Sequence, residues 1–360
     1  MLKLIRKLAL FIPVLALMAV VSYRIDPSGL FWGAGFERMA SEMMLDGQYI
    51  AGYERLDGRL LNETYAKNIK DAPQVLIDGS SRVMLIDSSF SEKTLYNAGN
   101  VAADVYDMYN AYYIFEKEGL EPEILFLGLD PWLFSDGKEA IDKFGRSNPR
   151  MYAEFMGEEL GYTDLAYEKP NKLKKYLALI DPSYFQGAVK YYFRDKSTDV
   201  EPEAVTPEEI ENLQDIVKCP DGSIIYDVYF RTRPQGEVDN DAMIAATVEY
   251  IARLEGFDKI SESCMERFIK FIEYLQAKGI KVIFYLPAYH PIMYDTLVAK
   301  KDLYHCVFEL EGELRELRDK YGIEIYGSYD PYKIGLTNED FMDGLHLRKE
   351  SIRKIIGMID

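Results

Sequence analysis

Residues 75–82 read Val75-Leu76-Ile77-Asp78-Gly79-Ser80-Ser81-Arg82, an apolar run of strand length that ends at an acid, a glycine and two serines. An apolar run closed by a glycine turn predicts a buried β-strand. A hydroxyl directly after such a strand lies at the carboxyl edge of the sheet, where open α/β sheets bind their ligands. The stretch therefore predicts a central strand with a functional site at its end.

Further strands with helical segments between them follow along the chain. Apolar runs of strand length lie at 94–97, 123–129, 280–286 and 323–326, and amphipathic helical patterns separate most of them. Strands that alternate with helices indicate an α/β fold with a parallel sheet.

The alternation defines the predicted domain organisation. The α/β core covers 73–134 and 259–360, and a helical lead-in covers 24–72. Residues 135–258 are rich in Tyr, Glu and Pro and lack the alternation. We interpret them as a large insertion that caps the carboxyl edge of the sheet.

The first residues carry a targeting signal. Lys3, Arg6 and Lys7 precede an apolar run at 8–21 that only Pro13 interrupts. A basic segment followed by an apolar one predicts a signal anchor over residues 1–23, with the amino terminus inside the cell and the rest extracytoplasmic. The protein is then a single-pass protein of the cell membrane. The alternative is a cleaved signal peptide.

Composition excludes several classes of protein. A formal net charge of -18 disfavours binding to nucleic acid and to anionic lipid. The three cysteines, at 219, 264 and 306, are too few and too scattered for a disulfide framework. Neither a phosphate-binding loop nor a dinucleotide fingerprint is present, and no spacing indicates a metal site. We therefore expect no cofactor and no metal.

A second constellation stands near the carboxyl terminus, where the sequence reads Asp343-Gly344-Leu345-His346. A serine needs a base to become a nucleophile, and the base needs an acceptor that orients it. Ser81, His346 and Asp343 supply these three parts. Taken singly, a Gly-Ser-Ser turn is common and Asp343 is a possible helix N-cap.

These residues resemble the motifs of the SGNH (GDSL-type) hydrolase superfamily. Gly79-Ser80-Ser81 stands where that superfamily has Gly-Asp-Ser, so the resemblance implies Ser81 as nucleophile, with Ser80 as the alternative. Gly99 resembles the second motif, and Asp343 and His346 match the last one. The resemblance implies a flavodoxin-like three-layer sandwich and an oxyanion hole built from the backbone N–H groups of Ser81 and Gly99.

One motif departs from the superfamily. Its Gly-x-Asn-Asp, whose Asn donates to the oxyanion, is replaced here by Gly128-Leu129-Asp130-Pro131. Loss of one such donor costs about a hundredfold or more in rate. The candidates for a substitute donor are Asn97, Asn100, Trp132 and Arg82.

Further residues are candidates for substrate binding. They follow strands or the nucleophile turn, and they comprise Arg82, Asn100, Asp130, Trp132 and His290. Arg82 has the alternative of pairing with an aspartate, and His290 that of a turn residue between two prolines. Asp130 and Trp132 have the alternative of packing the insertion.

More narrowly, the chain resembles membrane-anchored relatives that modify cell-envelope polymers, such as the D-alanyl-lipoteichoic-acid transfer protein and the alginate O-acetylation proteins. This resemblance implies serine-dependent O-acyl transfer or ester hydrolysis on a cell-surface polysaccharide, beside a membrane-bound O-acyltransferase. Alternatives are a secreted esterase with a soluble substrate, and a non-catalytic scaffold that binds the polymer or the acyltransferase.

Overall fold

Nine strands lie within residues 11–26, 31, 35–135, 147–165, 176–193, 201–251 and 253–360, which the computed structural model describes. In chain order they are β1 (Tyr49–Ala51), β2 (Val75–Asp78), β3 (Leu95–Asn97), β4 (Ile124–Gly128), β5 (Glu203–Val205), β6 (Val217–Lys218), β7 (Ile224–Ile225), β8 (Lys281–Leu286) and β9 (Glu324–Gly327).

The helices of the same ranges are α1 (Ile12–Ile25), α2 (Gly35–Leu45), α3 (Gly58–Asn68), α4 (Val105–Lys117), α5 (Pro149–Glu158), α6 (Pro182–Phe193), α7 (Pro207–Ile210), α8 (Val228–Thr232), α9 (Gln235–Thr247), α10 (Glu262–Ala277), α11 (Pro291–Ala299), α12 (Lys301–Tyr321) and α13 (Lys349–Ile356).

Five strands form one parallel sheet in the order β3-β2-β4-β8-β9. Numbered along the core, this order is 2-1-3-4-5, in which the direction of winding reverses between β2 and β4. Ligands of such sheets bind outside the carboxyl ends of the strands at this point. The predicted α/β fold with a parallel sheet is confirmed, and the turn after β2 lies at the reversal.

Helices and loops cover both faces of the sheet, as the apolar strands predict. Alternate side chains of β2, β4 and β8 point to opposite faces. On one face Leu76, Leu125 and Phe284 pack against α4, α10 and α12. On the other face Ile77 and Phe126 pack against a smaller cluster that includes α13. The arrangement is consistent with a three-layer sandwich.

A second, antiparallel sheet joins the predicted lead-in to the predicted insertion. Its order is β5-β1-β6-β7, and three of its four strands lie within 135–258. No strand pattern is readable within 135–258, because strands of two or three residues are too short for an alternation to be recognised. The backbone N–H of Asn97 donates to Asp221 (2.7 Å) and that of Ile224 to Met84 (2.9 Å). The insertion is thus held against the end of β3 and against the turn that follows β2.

The amino-terminal segment is described from residue 11 onward. Lys3, Arg6 and Lys7 lie outside the described residues, and α1 covers the second part of the apolar run. Within the described ranges, no helix combines the length and the apolar character needed to cross a bilayer. The signal anchor stays a prediction.

Candidate active site

Three glycines make room for the turn that carries Ser81. Gly79 has a φ of 152°, and a Cβ there would lie 3.1 Å from backbone atoms of Gly128 and from Cγ1 of Val83. A Cβ at Gly99 or Gly128 would lie 2.9 Å or 2.3 Å from the same valine side chain. Val83 is fully buried. The glycines therefore let this valine fill the space between the ends of β2, β3 and β4.

The nucleophile turn and the carboxyl-terminal loop meet at this edge of the sheet. The Oγ of Ser81 lies 2.8 Å from Nε2 of His346, although the two residues are 265 positions apart in the chain. The His346 side chain keeps 18% of its surface exposed, and Ser81 is half-buried. The hydroxyl and the imidazole are thus in hydrogen-bond contact at a site that solvent can reach.

Asp343 orients the imidazole. Its Oδ2 lies 2.8 Å from Nδ1 of His346, while its Oδ1 accepts the backbone N–H groups of Leu345 and His346, each at 2.7 Å. Burial alone would raise the pKa of Asp343, but the imidazole and the two N–H groups outweigh it and hold the pKa well below its usual value. Asp343 is not a helix cap, because α13 begins at Lys349 with Arg348 at its N-cap.

Arg82 is buried and joins four loops. Its guanidinium lies 2.9 Å from Asp130, which follows β4, and donates to the carbonyls of Leu345 (3.1 Å), Pro287 (2.7 Å) and Ala288. The side chains of Arg82 and Asp130 are only 2% and 1% exposed. Arg82 therefore pairs with an aspartate, which was the alternative to binding a substrate. Since both side chains are buried and each of the three guanidinium nitrogens donates a hydrogen bond, neither Arg82 nor Asp130 is open to a substrate.

The predicted oxyanion donors need a correction. The backbone N–H of Gly99 already donates to Oδ1 of Asn97 (2.9 Å), so Gly99 is not a free donor. The amide of Asn97 donates to two carbonyls, and Nε1 of Trp132 donates to Ala103 (2.9 Å). Within the described residues, no acceptor takes the backbone N–H of Ser81. This N–H is the predicted donor that remains open.

Three other candidates for substrate binding, His290, Trp132 and Asn100, are buried. His290 is fully buried and caps α11, with Nδ1 accepting the N–H of Ile292 (3.2 Å). Burial lowers its pKa. Trp132 is 4% exposed, and the guanidinium carbon of Arg253, a residue of the insertion, lies 5.3 Å from its ring centroid. Asn100 lines a separate cavity of about 230 Å³ with Arg59, Asp107 and others, and none of Ser81, Asp343 and His346 lines that cavity.

Two aromatic residues of the insertion flank the imidazole, and sequence reasoning missed them. The rings of Tyr226 and Phe230 meet that of His346 edge-on, with centroids 5.9 Å and 6.4 Å away. Burial, and then the Asp343 carboxylate, raise the pKa of Tyr226 well above its usual value, so its hydroxyl stays neutral. The spacing of four residues between Tyr226 and Phe230 is only a weak signal in the sequence. Nothing in the neighbouring sequence predicts a contact with His346.

One group of side chains within the described residues could supply three metal ligands. His305, Cys306 and Glu309 lie on one helix with ligand atoms within 4.8 Å of one another. Burial raises the pKa of Cys306 to about 11, which disfavours the thiolate that a metal requires. The group contains no residue of the serine site.

The arrangement can move a proton. A hydroxyl, an imidazole and an ionised carboxylate stand in the order nucleophile, base and orienter, with an N–H beside the hydroxyl. No protein-family model matches the chain, and no curated protein matches it either.

Proposed function

We propose that this protein is an extracytoplasmic serine enzyme that transfers an acyl group to, or hydrolyses an ester on, a cell-envelope polysaccharide. One observation carries the proposal, namely the line of contacts Ser81–His346–Asp343 with 2.8 Å at each step. A turn after one strand and a loop before the last helix converge on one proton path. If the Gly-Ser-Ser segment were only a turn and Asp343 only a helix cap, Ser81 and His346 would not need to be in contact.

In the proposed mechanism, the Oγ of Ser81 attacks the carbonyl carbon of the ester while His346 takes its proton. Asp343 keeps the proton of Nδ1 in place and stabilises the imidazolium that forms. The backbone N–H of Ser81 donates to the oxyanion. His346 then protonates the leaving alkoxide, and a sugar hydroxyl or water attacks the acyl-enzyme in the reverse sequence of proton transfers.

The polymer substrate rests on the resemblance to the SGNH superfamily and its membrane-anchored relatives. Phe230 supports it, because the insertion places this half-buried aromatic ring beside the imidazole. A membrane-bound O-acyltransferase is the partner that this resemblance implies.

A non-catalytic scaffold is the second candidate, and the oxyanion region favours it. Asp130 is bound to Arg82 and the N–H of Gly99 is bound to Asn97, so one donor does the work that the superfamily divides among three. Each missing donor costs about a hundredfold or more in rate. The scaffold would bind the polymer or the acyltransferase with the same fold and no turnover.

A fluorophosphonate probe separates the two candidates, because it labels a serine only when a base activates it. We expect labelling of the native protein, loss of labelling in Ser81→Ala and retention in Ser80→Ala. Ser80 is the matched control, since it is the neighbouring serine and its buried Oγ accepts the N–H of Arg82 (3.3 Å). A folded native protein that takes up no label would support the scaffold.

A further inference from the structure

Exposed apolar side chains are concentrated in two segments that are distant in sequence. Of the 22 large apolar side chains that the described residues expose, 12 lie in residues 11–26 and 176–193. They are Phe11, Ile12, Val14, Leu15, Leu17, Val20, Tyr23, Tyr176, Leu177, Ile180, Tyr192 and Phe193. Scattered exposed apolar residues are normal, whereas a concentration of this kind marks an interaction surface.

The two segments contact each other. The hydroxyl of Tyr184 donates to Asp26 (2.5 Å), and the ring of Phe31 packs between Tyr23 and Tyr176 at centroid distances of 5.4 Å and 6.2 Å. α6 also packs along α1. Because Tyr184 is in the first turn of α6 and Asp26 follows α1 directly, the two helices are antiparallel.

This arrangement brings the far end of α6 beside the apolar run. Phe193 follows Tyr184 by nine residues, a rise of about 14 Å along a helix. It therefore lies alongside the middle of α1 and is 79% exposed. Tyr192, beside it, is 57% exposed. Part of the predicted insertion thus extends the apolar surface of the amino-terminal helix.

Charge indicates what this surface contacts. Between residues 169 and 196 the sequence has seven lysines and arginines but only two acids, Asp181 and Asp195, in a chain of net charge -18. Lys190 is exposed on α6. Aromatic and basic side chains together on one short segment are typical of elements that lie at an anionic bilayer surface.

We propose that α1 and residues 176–193 form one surface that contacts an anionic lipid bilayer, so that the insertion as well as the amino terminus faces the membrane. Lys3, Arg6 and Lys7 ahead of the apolar run point to the same occupant. The net charge of the whole chain disfavours anionic lipid, but residues 169–196, which include α6, have a net charge of the opposite sign. The proposal does not depend on the chemistry of Ser81.

The test uses the full chain reconstituted into vesicles of equal parts phosphatidylglycerol and phosphatidylcholine. Phe193→Cys carries an environment-sensitive fluorophore, and Leu303→Cys on α12, also exposed, is the matched control. The three native cysteines are buried and stay unlabelled in the folded protein. Spin-labelled lipid should remove about half of the emission at position 193 and leave that at position 303 unchanged.

Three outcomes would overturn the proposal. Equal emission at the two positions with no quenching would mean that the fluorophore at position 193 is in water. A blue-shifted emission at 193 without quenching by lipid would mean that a second copy or another protein covers the surface. In vesicles of phosphatidylcholine alone we expect the quenching at position 193 to fall by about twofold or more. Equal quenching in the two kinds of vesicle would mean that charge does not contribute to the contact. Lys190→Glu should give a reduction in the same direction.

Discussion

Replacement of Arg82 by methionine should both destabilise the protein and separate Ser81 from its base. The substitution leaves the Asp130 carboxylate buried without its cation and removes the donor from the carbonyls of Leu345, Pro287 and Ala288. Breaking a buried ion pair from one side costs about 3–5 kcal/mol. We expect a loss in the free energy of unfolding of this size.

The sign of the coupling energy between Arg82 and Asp130 tests whether their ion pair accounts for the loss of stability. In Arg82→Met combined with Asp130→Asn, the uncompensated charge is gone and only the carbonyls lack a partner. The double variant should therefore be about 2 kcal/mol more stable than Arg82→Met alone, although still less stable than the native protein. Urea unfolding of the native protein, both single variants and the double variant gives the coupling energy directly.

Arg59→Met is the control for stability without effect on the site. Arg59 forms a two-point ion pair with Asp107 at 2.8 Å and 2.6 Å, with side chains 16% and 3% exposed. Its loss should also destabilise the protein, but the folded fraction should label at Ser81 as fast as the native protein. Arg82→Met should label more slowly, because Arg82 holds the carbonyl of Leu345 next to His346.

Three results would refute this reasoning. A change below about 1 kcal/mol in Arg82→Met would mean that water replaces the guanidinium at little cost. A double variant less stable than Arg82→Met would mean that Asp130 stabilises the fold through contacts other than its ion pair. Equal labelling rates in the Arg82 and Arg59 variants would show that Arg82 does not position the site.

Gly128→Ala should destabilise the protein by about 1–3 kcal/mol, because the added methyl would lie 2.3 Å from Cγ1 of Val83, and Val83→Ala in the same chain should restore part of the loss in urea unfolding. Asp78→Asn should raise the midpoint of thermal unfolding more near pH 8 than near pH 4. Burial, and then the Asp107 carboxylate, raise the pKa of Asp78 well above its usual value, so the native state retains a proton that the unfolded state releases, and its stability falls as the pH rises above about 4. Equal changes at both pH values would contradict this assignment. Asp343→Asn should slow labelling of Ser81 by about 10⁴-fold, the loss known when the acceptor behind a catalytic histidine becomes an amide, and a rate within tenfold of the native one would mean that Asp343 does not orient His346.

Local patterns in the sequence predict the strands of the α/β core. Each strand of the parallel sheet is an apolar run that a turn residue closes, and both features are properties of neighbouring residues. The segments Val75–Asp78, Ile124–Gly128 and Lys281–Leu286 agree with their predicted positions within two residues at either end. The predicted core was readable because burial of a strand on both faces leaves a continuous apolar run.

The sequence also supplied the residue types of the candidate site. Ser81, Asp343 and His346 could be named because each stands in a short motif at the end of a strand or shortly before a helix. Parallel strands with helical crossovers place such ends on one edge of the sheet. The topology of the parallel sheet therefore predicts that these residues converge.

Only the tertiary structure decided which donors and acceptors are already paired. The N–H of Gly99 is bound to Asn97, and Arg82 is bound to Asp130 and three carbonyls, which removes both from the roles that motifs alone suggest. The position of Tyr226 beside His346 was equally invisible. Hydrogen bonds and ring contacts act over about 3–6 Å between segments far apart in the chain, and no local pattern encodes those distances.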